Sequence, residues 1–523
     1  MLIYTNLYYL IQLFKYKIFK IYLYLYSIMN IFVFNRGLRI FDNTTLIHQM
    51  RQMGAITPIF IFTPEQIDKK QNKYFSNNSV QFMIESLQEL ANDIEKQGGK
   101  LYFFYGEVID VLSSILKDMK ILSIGLNFDY TPYARQRSDL IQKFCTKNKI
   151  TFFEKEDYLL HPILSNQTKK KDGKPYLMFT PFKRFCMETL KVASIDKFNK
   201  FVFSKTAIKS KHLISSKDIE KYYTANPNIN THGGRKNGLQ ILKNIKSFSK
   251  YAKERDYFTY RTTFLSAHNH YMTISIREEY WAIIDSLGKK SGIISELYWR
   301  EFYTNIVYCF PYVLQGQTSK SSSSTLRPTL KSAHNISFKQ KYDKLKLPPF
   351  NKKWFDAWCE GTTGFPIVDA GMRQLNTTGY MHNRNRMITM SFLIKFMHID
   401  WRYGEQYFAT KLVDYDAMMN NSGVQWCAGC GTDAQPYFRY FNPWIQQKKY
   451  DPNCEYIKKY VKELSDIDPK IIHKWDTLFT DLRHTSYSSN LQKAGQKTKC
   501  TYNAPILDHA KEIKITLKLF KKG

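Results

Sequence analysis

The chain has 523 residues, a formal net charge of +32 and 16% aromatic side chains. That aromatic content excludes a disordered polymer, and the length supports two or three domains around large buried cores. The charge excess suits a polyanionic partner, and it equally suits a genome biased towards lysine and asparagine codons; charge alone does not decide between them.

Residues 1–28 are apolar and aromatic but broken by lysines. No uncharged run there reaches the roughly 18–20 residues that cross a bilayer. The segment therefore reads as a non-domain extension, either an upstream start or a weak targeting segment, and not as a membrane anchor or secretory signal. Eight cysteines are scattered without framework spacing, and Cys427 and Cys430 form the one CxxC. No second pair completes a metal site, so no metal is expected. A reducing, intracellular compartment (cytoplasm or nucleus) is the simpler reading.

Residues 29–160 alternate short apolar runs with amphipathic stretches. IFVF (31–34), ITPIFIF (56–62), KLYFFYG (100–106), ILSIGLNFD (121–129) and ITFFE (150–154) read as buried parallel strands. Residues 79–97 carry apolar side chains at three- and four-residue spacing, as a helix would. The fold class that follows is α/β, a doubly wound parallel sheet of Rossmann-like type. No GxGxxG follows the first strand, so a dinucleotide is not indicated in this domain. Residues 161–232 form a Lys-rich connector carrying an aromatic strip, PYLMFTPF (175–182). From 233 to 490 the pattern is helical throughout, with a Ser/Lys-rich insertion at 318–332 read as a mobile loop. Residues 491–523 read as a basic tail.

Chemistry concentrates in the helical half. Thr262, Thr263 and Ser266 stand just before an apparent helix, where hydroxyls and free backbone N–H groups suit a phosphate; plain N-capping explains the same residues. Glu296, Trp299 and Arg300 share one helical turn, and an i,i+4 ion pair beside a core tryptophan is the bland alternative. Between 361 and 462, Asp, Asn, Arg, Trp and Met recur at helical spacing inside an apolar segment. A plain core has no use for so many polar groups, since each buried one needs a partner or costs roughly 1–3 kcal/mol. A pocket for something large, polar and flat is expected there.

From Met29 to about Leu464 the chain resembles the photolyase/cryptochrome family, specifically class I cyclobutane pyrimidine dimer (deoxyribodipyrimidine) photolyases. The motifs are FNRGLRIFDN, LNFDYTPYARQR, PYLMFTPF, FLSAHNHYMTISIRE, ELYWREFY, GFPIVDAGMRQLNTTGYMHNRNRM, DYDAMMNN and GTDAQPYFRYFNP, in family order. The resemblance implies an α/β antenna domain followed by an all-helical domain that binds FAD and DNA. It implies that Tyr251, Thr262, Thr263, Leu265 and Ser266 hold the FAD phosphates and ribityl chain. Asp414, Tyr415 and Asp416 would then contact the cofactor, with Arg386 paired to Asp414 and Asn420 facing flavin nitrogen five. On the substrate side it implies that Trp299 and Trp426 flank a flipped dimer, with Glu296, Asn383 and Met387 beside it. Arg255, Arg300 and Arg384 would face DNA phosphates. Histidines stand at positions 383 and 387 in the related (6-4) enzymes, so Asn383 and Met387 favour cyclobutane dimers. The implied partner is ultraviolet-damaged DNA, met by a monomer with no membrane association. The competing reading is a cryptochrome-like blue-light photoreceptor that signals through protein partners.

Several positions depart from the family pattern. Trp401 matches the middle member of the usual electron-transfer tryptophans, but Val424 stands at the flavin-proximal position and Pro348 near the surface position. The relay is expected to be broken, with Trp354, Tyr415 and Trp444 as alternative stations. Ile293 and Met272 replace a tryptophan and a turn glycine. In the antenna domain Asn127, Asp129, Tyr130, Tyr133 and Arg137 match a recurring motif. It leaves folate, deazaflavin or no second chromophore equally open.

Overall fold

The computed structural model describes residues 28–204, 206–317, 335–433, 439–479 and 500–521. The extension at 1–27 and the insertion at 318–332 lie outside the described residues.

The first domain is built on six strands: β1 (Ile28–Phe34), β2 (Thr57–Phe62), β3 (Tyr102–Tyr105), β4 (Lys120–Asn127), β5 (Thr151–Lys155) and β6 (Leu213–Ile214). They lie in the order β5-β4-β1-β2-β3-β6. The first five are parallel, as their apolar runs and intervening helices require. β1 and β2 are buried almost throughout, whereas β5 is an edge strand with half-buried and exposed residues, which corrects its reading as a buried strand. β6 comes from the connector and pairs antiparallel with β3. Two residues carry too little pattern to be foreseen.

The connector also holds the helix Phe179–Thr189, whose Phe179, Phe182 and Cys186 are buried against the helical half. Gly233 and Gly234 mark a close approach. A Cβ on Gly233 would sit 2.2 Å from Phe82 O of the long helix Asn77–Lys96, so the chain passes the first domain there only without a side chain.

Local signals set the helical half. Ser275 and Glu278 form a capping box at the start of Ile276–Leu287, Pro366 opens Pro366–Thr378, and Gly379 closes it at φ 68°. Asp416 caps Ala417–Ala428 by accepting from Met418 and Met419 N–H, and Gly429 ends that helix at φ 86°. The core gathers Trp358, Phe392 and Trp401 from separate helices, with Phe365 and Met381 from the loops between them. The stretch read as a basic tail is in part structural, which corrects that boundary. Tyr502 donates to Asp369 Oδ2 at 2.5 Å, Ile506 N–H to Thr363 O at 2.9 Å, and helix His509–Lys521 packs through Thr516 at 2.9 Å from His398 Nε2. Alternating Lys and apolar residues hid an amphipathic helix behind its charge.

The two halves are clamped by buried charge. Asp157 accepts from Arg39 at 2.6 Å, from Arg277 at 2.8 Å and from Thr44 Oγ1 at 2.5 Å, and Arg277 also pairs with Asp42 at 2.8 Å. Arg36 bridges Asp129 of the first domain (3.0 Å) and Asp416 of the helical half (3.1 Å).

Candidate functional site

A cavity of about 510 Å³ opens in the helical half, and nearly every residue singled out in the sequence lines it. Those lining it are Tyr251, Arg255, Thr262, Thr263, Leu265, Ser266, Glu296, Trp299, Arg300, Asn383, Arg384, Arg386, Met387, Asp414, Asp416, Asn420 and Trp426. Four helices bring them together. Helix Gly292–Cys309 presents Glu296, Trp299 and Arg300 from one face, and Asn383–Lys395 presents Asn383, Arg386 and Met387. Ala417–Ala428 presents Asn420 and Trp426, and Ser266–Tyr271 closes one wall.

One wall is strongly polar. Arg386 donates to both oxygens of Asp414 at 2.9 and 3.1 Å, and Ser266 Oγ donates to Asp414 Oδ2 at 2.6 Å. Asp416 is bound by Arg36, by Tyr158 Oη at 2.8 Å and by His270 Nδ1 at 3.1 Å. Burial works against its charge, but Arg36 and these hydrogen bonds outweigh burial and hold the carboxyl well below the usual range. Asp416 is thus committed to the domain clamp and to its helix cap.

The other wall is aromatic. Trp299 lies flat on Phe179 with ring centroids 3.6 Å apart and planes at 6°, which fixes its free face towards the cavity. Trp426 is half-buried in the same cavity. Glu296 pairs with Arg255, not with Arg300, and burial raises its carboxyl pKa against the pull of that guanidinium. Asn383 stands exposed at the rim, and Arg384 pairs there with Asp256 at 2.5 Å.

Two expectations are corrected. Arg300 is 7% exposed, lies 3.4 Å from the Tyr158 ring and donates to Tyr158 O at 2.6 Å. It is an interior group and leaves the set facing DNA phosphates. Tyr415 does not line the cavity; its Oη donates to Glu405 Oε1 at 3.1 Å on the far side of the wall. Trp401 lies in the core, its Nε1 donating to Ser337 Oγ at 3.2 Å, and Val424 lines the cavity. Trp354 is half-buried, Trp444 packs on Phe365 at 5.0 Å, and Pro348 is exposed. Ile293 lines the cavity, and Met272 takes the left-handed conformation (φ 51°) otherwise favoured by glycine.

Sequence reading missed Tyr158, Asn269, His270, Glu279, Tyr303 and Tyr380 on the walls. Isolated Tyr and His in a helical pattern carry no local signal. Glu279, in the run EEYW, was the exception, since a carboxylate on a buried helical face marks a polar wall. Burial pushes its pKa up to about 7 against the pull of Arg300.

The donor set fits a large phosphate-bearing cofactor. Glu279 Oε2 and Arg300 Nε are buried at the wall without a hydrogen-bond partner, which a polar occupant would supply. Among the described residues no cluster of metal-ligating side chains occurs, and no helix is long and apolar enough to cross a membrane. In the first domain Asn127 and Tyr130 are consumed internally, bonding Asn43 at 3.1 Å and Glu156 at 3.0 Å. Asp129 pairs with Arg36, and Arg137 lies 5.7 Å over the Tyr133 ring.

Comparisons with known proteins agree with this fold. The family model for DNA photolyase matches residues 30–200, and that for the FAD binding domain of DNA photolyase matches residues 293–522. The chain is 31% identical over 513 residues to a deoxyribodipyrimidine photo-lyase of Vibrio cholerae, covering 94% of this chain and 99% of that protein. It is 32% identical over 516 residues to the enzyme of the same name from Buchnera aphidicola, covering 94% and 98%. Among solved structures, an archaeal photolyase from Sulfolobus tokodaii with two FAD molecules superposes with a TM-score of 0.78 at 34% identity, covering 94% of this chain and all of that one. A class III photolyase from Agrobacterium tumefaciens superposes at 0.80 with 27% identity, covering 95% and 98%.

Proposed function

This chain belongs to the DNA photolyase family, and we propose that it is a light-driven lyase that splits cyclobutane pyrimidine dimers in DNA. The observation that carries this reading is the cavity itself, with a polar cofactor wall and a stacking wall facing one space. Reduced FAD, when bound, supplies on illumination the electron that opens the cyclobutane ring and takes it back afterwards.

The chain's own residues supply placement and electrostatics. Arg386 and Asp414 neutralise one another and fix Ser266 at the cofactor wall. Asn420, an uncharged amide, can donate to a reduced, anionic ring without releasing a proton to it. Trp299, held by Phe179, and Trp426 offer flat faces to two bases turned out of the duplex. Glu296 offers a hydrogen-bonding carboxyl at the lesion, and Arg255 keeps that group oriented. Asn383 and Met387 do not titrate, so those positions offer no acid to a lesion that needs one. Arg255 and Arg384 at the rim, with the net charge of +32, favour a phosphate backbone.

Loading the protein with FAD, reducing it and illuminating it over dimer-containing oligothymidine tests the reading. Restoration of thymines in light and not in the dark is expected, with a (6-4) lesion left untouched.

A further inference from the structure

We propose that Tyr415, Glu405 and Tyr74 form a route by which an electron reaches the cofactor cavity from the first domain's surface, Glu405 taking the proton that the phenol releases. The inference rests on the FAD reading above and deepens it.

Three observations carry it. Tyr415 lies between Asp414 and Asp416, both of which line the cavity, yet its own ring turns away from it. Its Oη donates to Glu405 Oε1 at 3.1 Å. Its ring lies nearly parallel to that of Tyr74, with centroids 6.1 Å apart and planes at 15°. Tyr74 also hydrogen-bonds Glu405 and is half-buried beside exposed Lys73, in the loop before helix Asn77–Lys96. The same carboxylate therefore touches both phenols. Glu405 is fully buried at the base of the wall, where Asn420 Nδ2 donates to its backbone carbonyl at 3.4 Å and Asn335 Nδ2 lies 3.5 Å from Oε2. Burial raises the Glu405 pKa to about 7, so the carboxyl can hold a proton and give it back near neutral pH.

A phenol is oxidised readily only if its proton has somewhere to go, and an aliphatic Val424 offers no station at all. In the first step one electron leaves Tyr415 for the photoexcited oxidised cofactor, and the Oη proton moves to Glu405 Oε1. Tyr74 then passes an electron to Tyr415, Glu405 returns the first proton to Tyr415, and Glu405 takes the Oη proton of Tyr74 in its place. An external thiol gives one electron and one proton to the Tyr74 radical and leaves as a thiyl radical, so that the electron gained by the cofactor is matched by the one proton retained on Glu405.

Photoreduction of the oxidised FAD-loaded protein with a thiol, followed by flash absorption and electron spin resonance, tests the route. Tyr415→Phe and Glu405→Gln should each slow photoreduction by about 100-fold, the scale of one lost proton acceptor or donor. Tyr74→Phe should lengthen the life of the Tyr415 radical, leaving back-transfer as its decay, and lower the yield, while repair after chemical reduction stays at the unaltered level. Trp401→Phe should leave the rate unchanged. A neutral tyrosyl signal in the unaltered protein, absent in Tyr415→Phe, is expected. A coloured, repair-competent protein whose photoreduction survives Tyr415→Phe and collapses with Trp401→Phe would overturn the route alone. A protein that takes up no FAD would overturn the route together with the reading beneath it.

Discussion

Replacing Asp157 with Asn should loosen the junction between the two halves far more than its isosteric size suggests. The carboxylate is wholly buried and receives Arg39 at 2.6 Å, Arg277 at 2.8 Å and the Thr44 N–H and hydroxyl at 3.1 and 2.5 Å. Burial opposes its charge, yet the two guanidinium groups outweigh that and hold its pKa at about 2, against an ordinary 3.8. That difference alone corresponds to about 2.5 kcal/mol of stability near neutral pH. The amide also leaves Arg39, whose side chain has no solvent exposure, without an anionic partner. Breaking a buried pair in this way costs about 3–5 kcal/mol. With a urea slope of about 3 kcal/mol per molar, the unfolding midpoint should fall by about 1–1.7 M. Circular dichroism in urea measures it, with Arg51→Ala as control. That residue's pair with Asp196 is solvent-exposed and worth at most about 1 kcal/mol. An Asp157→Asn midpoint shift no larger than the control's would refute the clamp.

Three further outcomes follow from the same geometry. Trp299→Ala should weaken binding of dimer-containing DNA by about 1–3 kcal/mol, or roughly 5- to 150-fold, with bound FAD unchanged; gel shift and flavin absorbance read the two separately. Asp414→Ala strips the acceptors of Arg386 and Ser266 and should weaken FAD retention on the order of 100-fold, visible as fluorescence of released flavin. Stability should be nearly level between about pH 6.5 and 4.5 and fall below about pH 4, measured as the urea midpoint. Burial holds His161, His268 and His382 down to about 4, so unfolding takes up protons and their contribution is lost as pH falls from 6.5. Burial also lifts Glu279, Glu301 and Glu405 to about 7, so the folded chain gains over the same range. Below both sets, Asp157 and Asp416 lose their charge-dependent stabilisation as they protonate. A steep drop from pH 7 to 5 would contradict this balance.

What could be read from the sequence was mostly local. Parallel strands announce themselves as apolar runs, and caps such as Ser275 with Glu278 fix helix starts within four residues. Polar groups at helical spacing inside the apolar segment 361–462 pointed to a pocket, and the family resemblance supplied the individual residues that line it. What remained hidden depends on distant partners. Asp416 lines the cavity, but its pairing with Arg36, 380 positions earlier, left no local signal. Arg300 looked like half of an i,i+4 pair, but its partner is a carbonyl 142 residues away. Tyr415 sat in the right segment and pointed the wrong way, because neighbours along a chain do not share one side of a wall. Two-residue β6 and the Lys-rich final helix carried patterns too short or too charged to stand out.

Repair itself decides the account. Reduced, FAD-loaded protein illuminated with blue light should restore intact thymines in dimer-bearing oligothymidine, with no restoration in darkness and none for a (6-4) lesion. Loaded, reduced protein that leaves the cyclobutane dimers intact under light would contradict it.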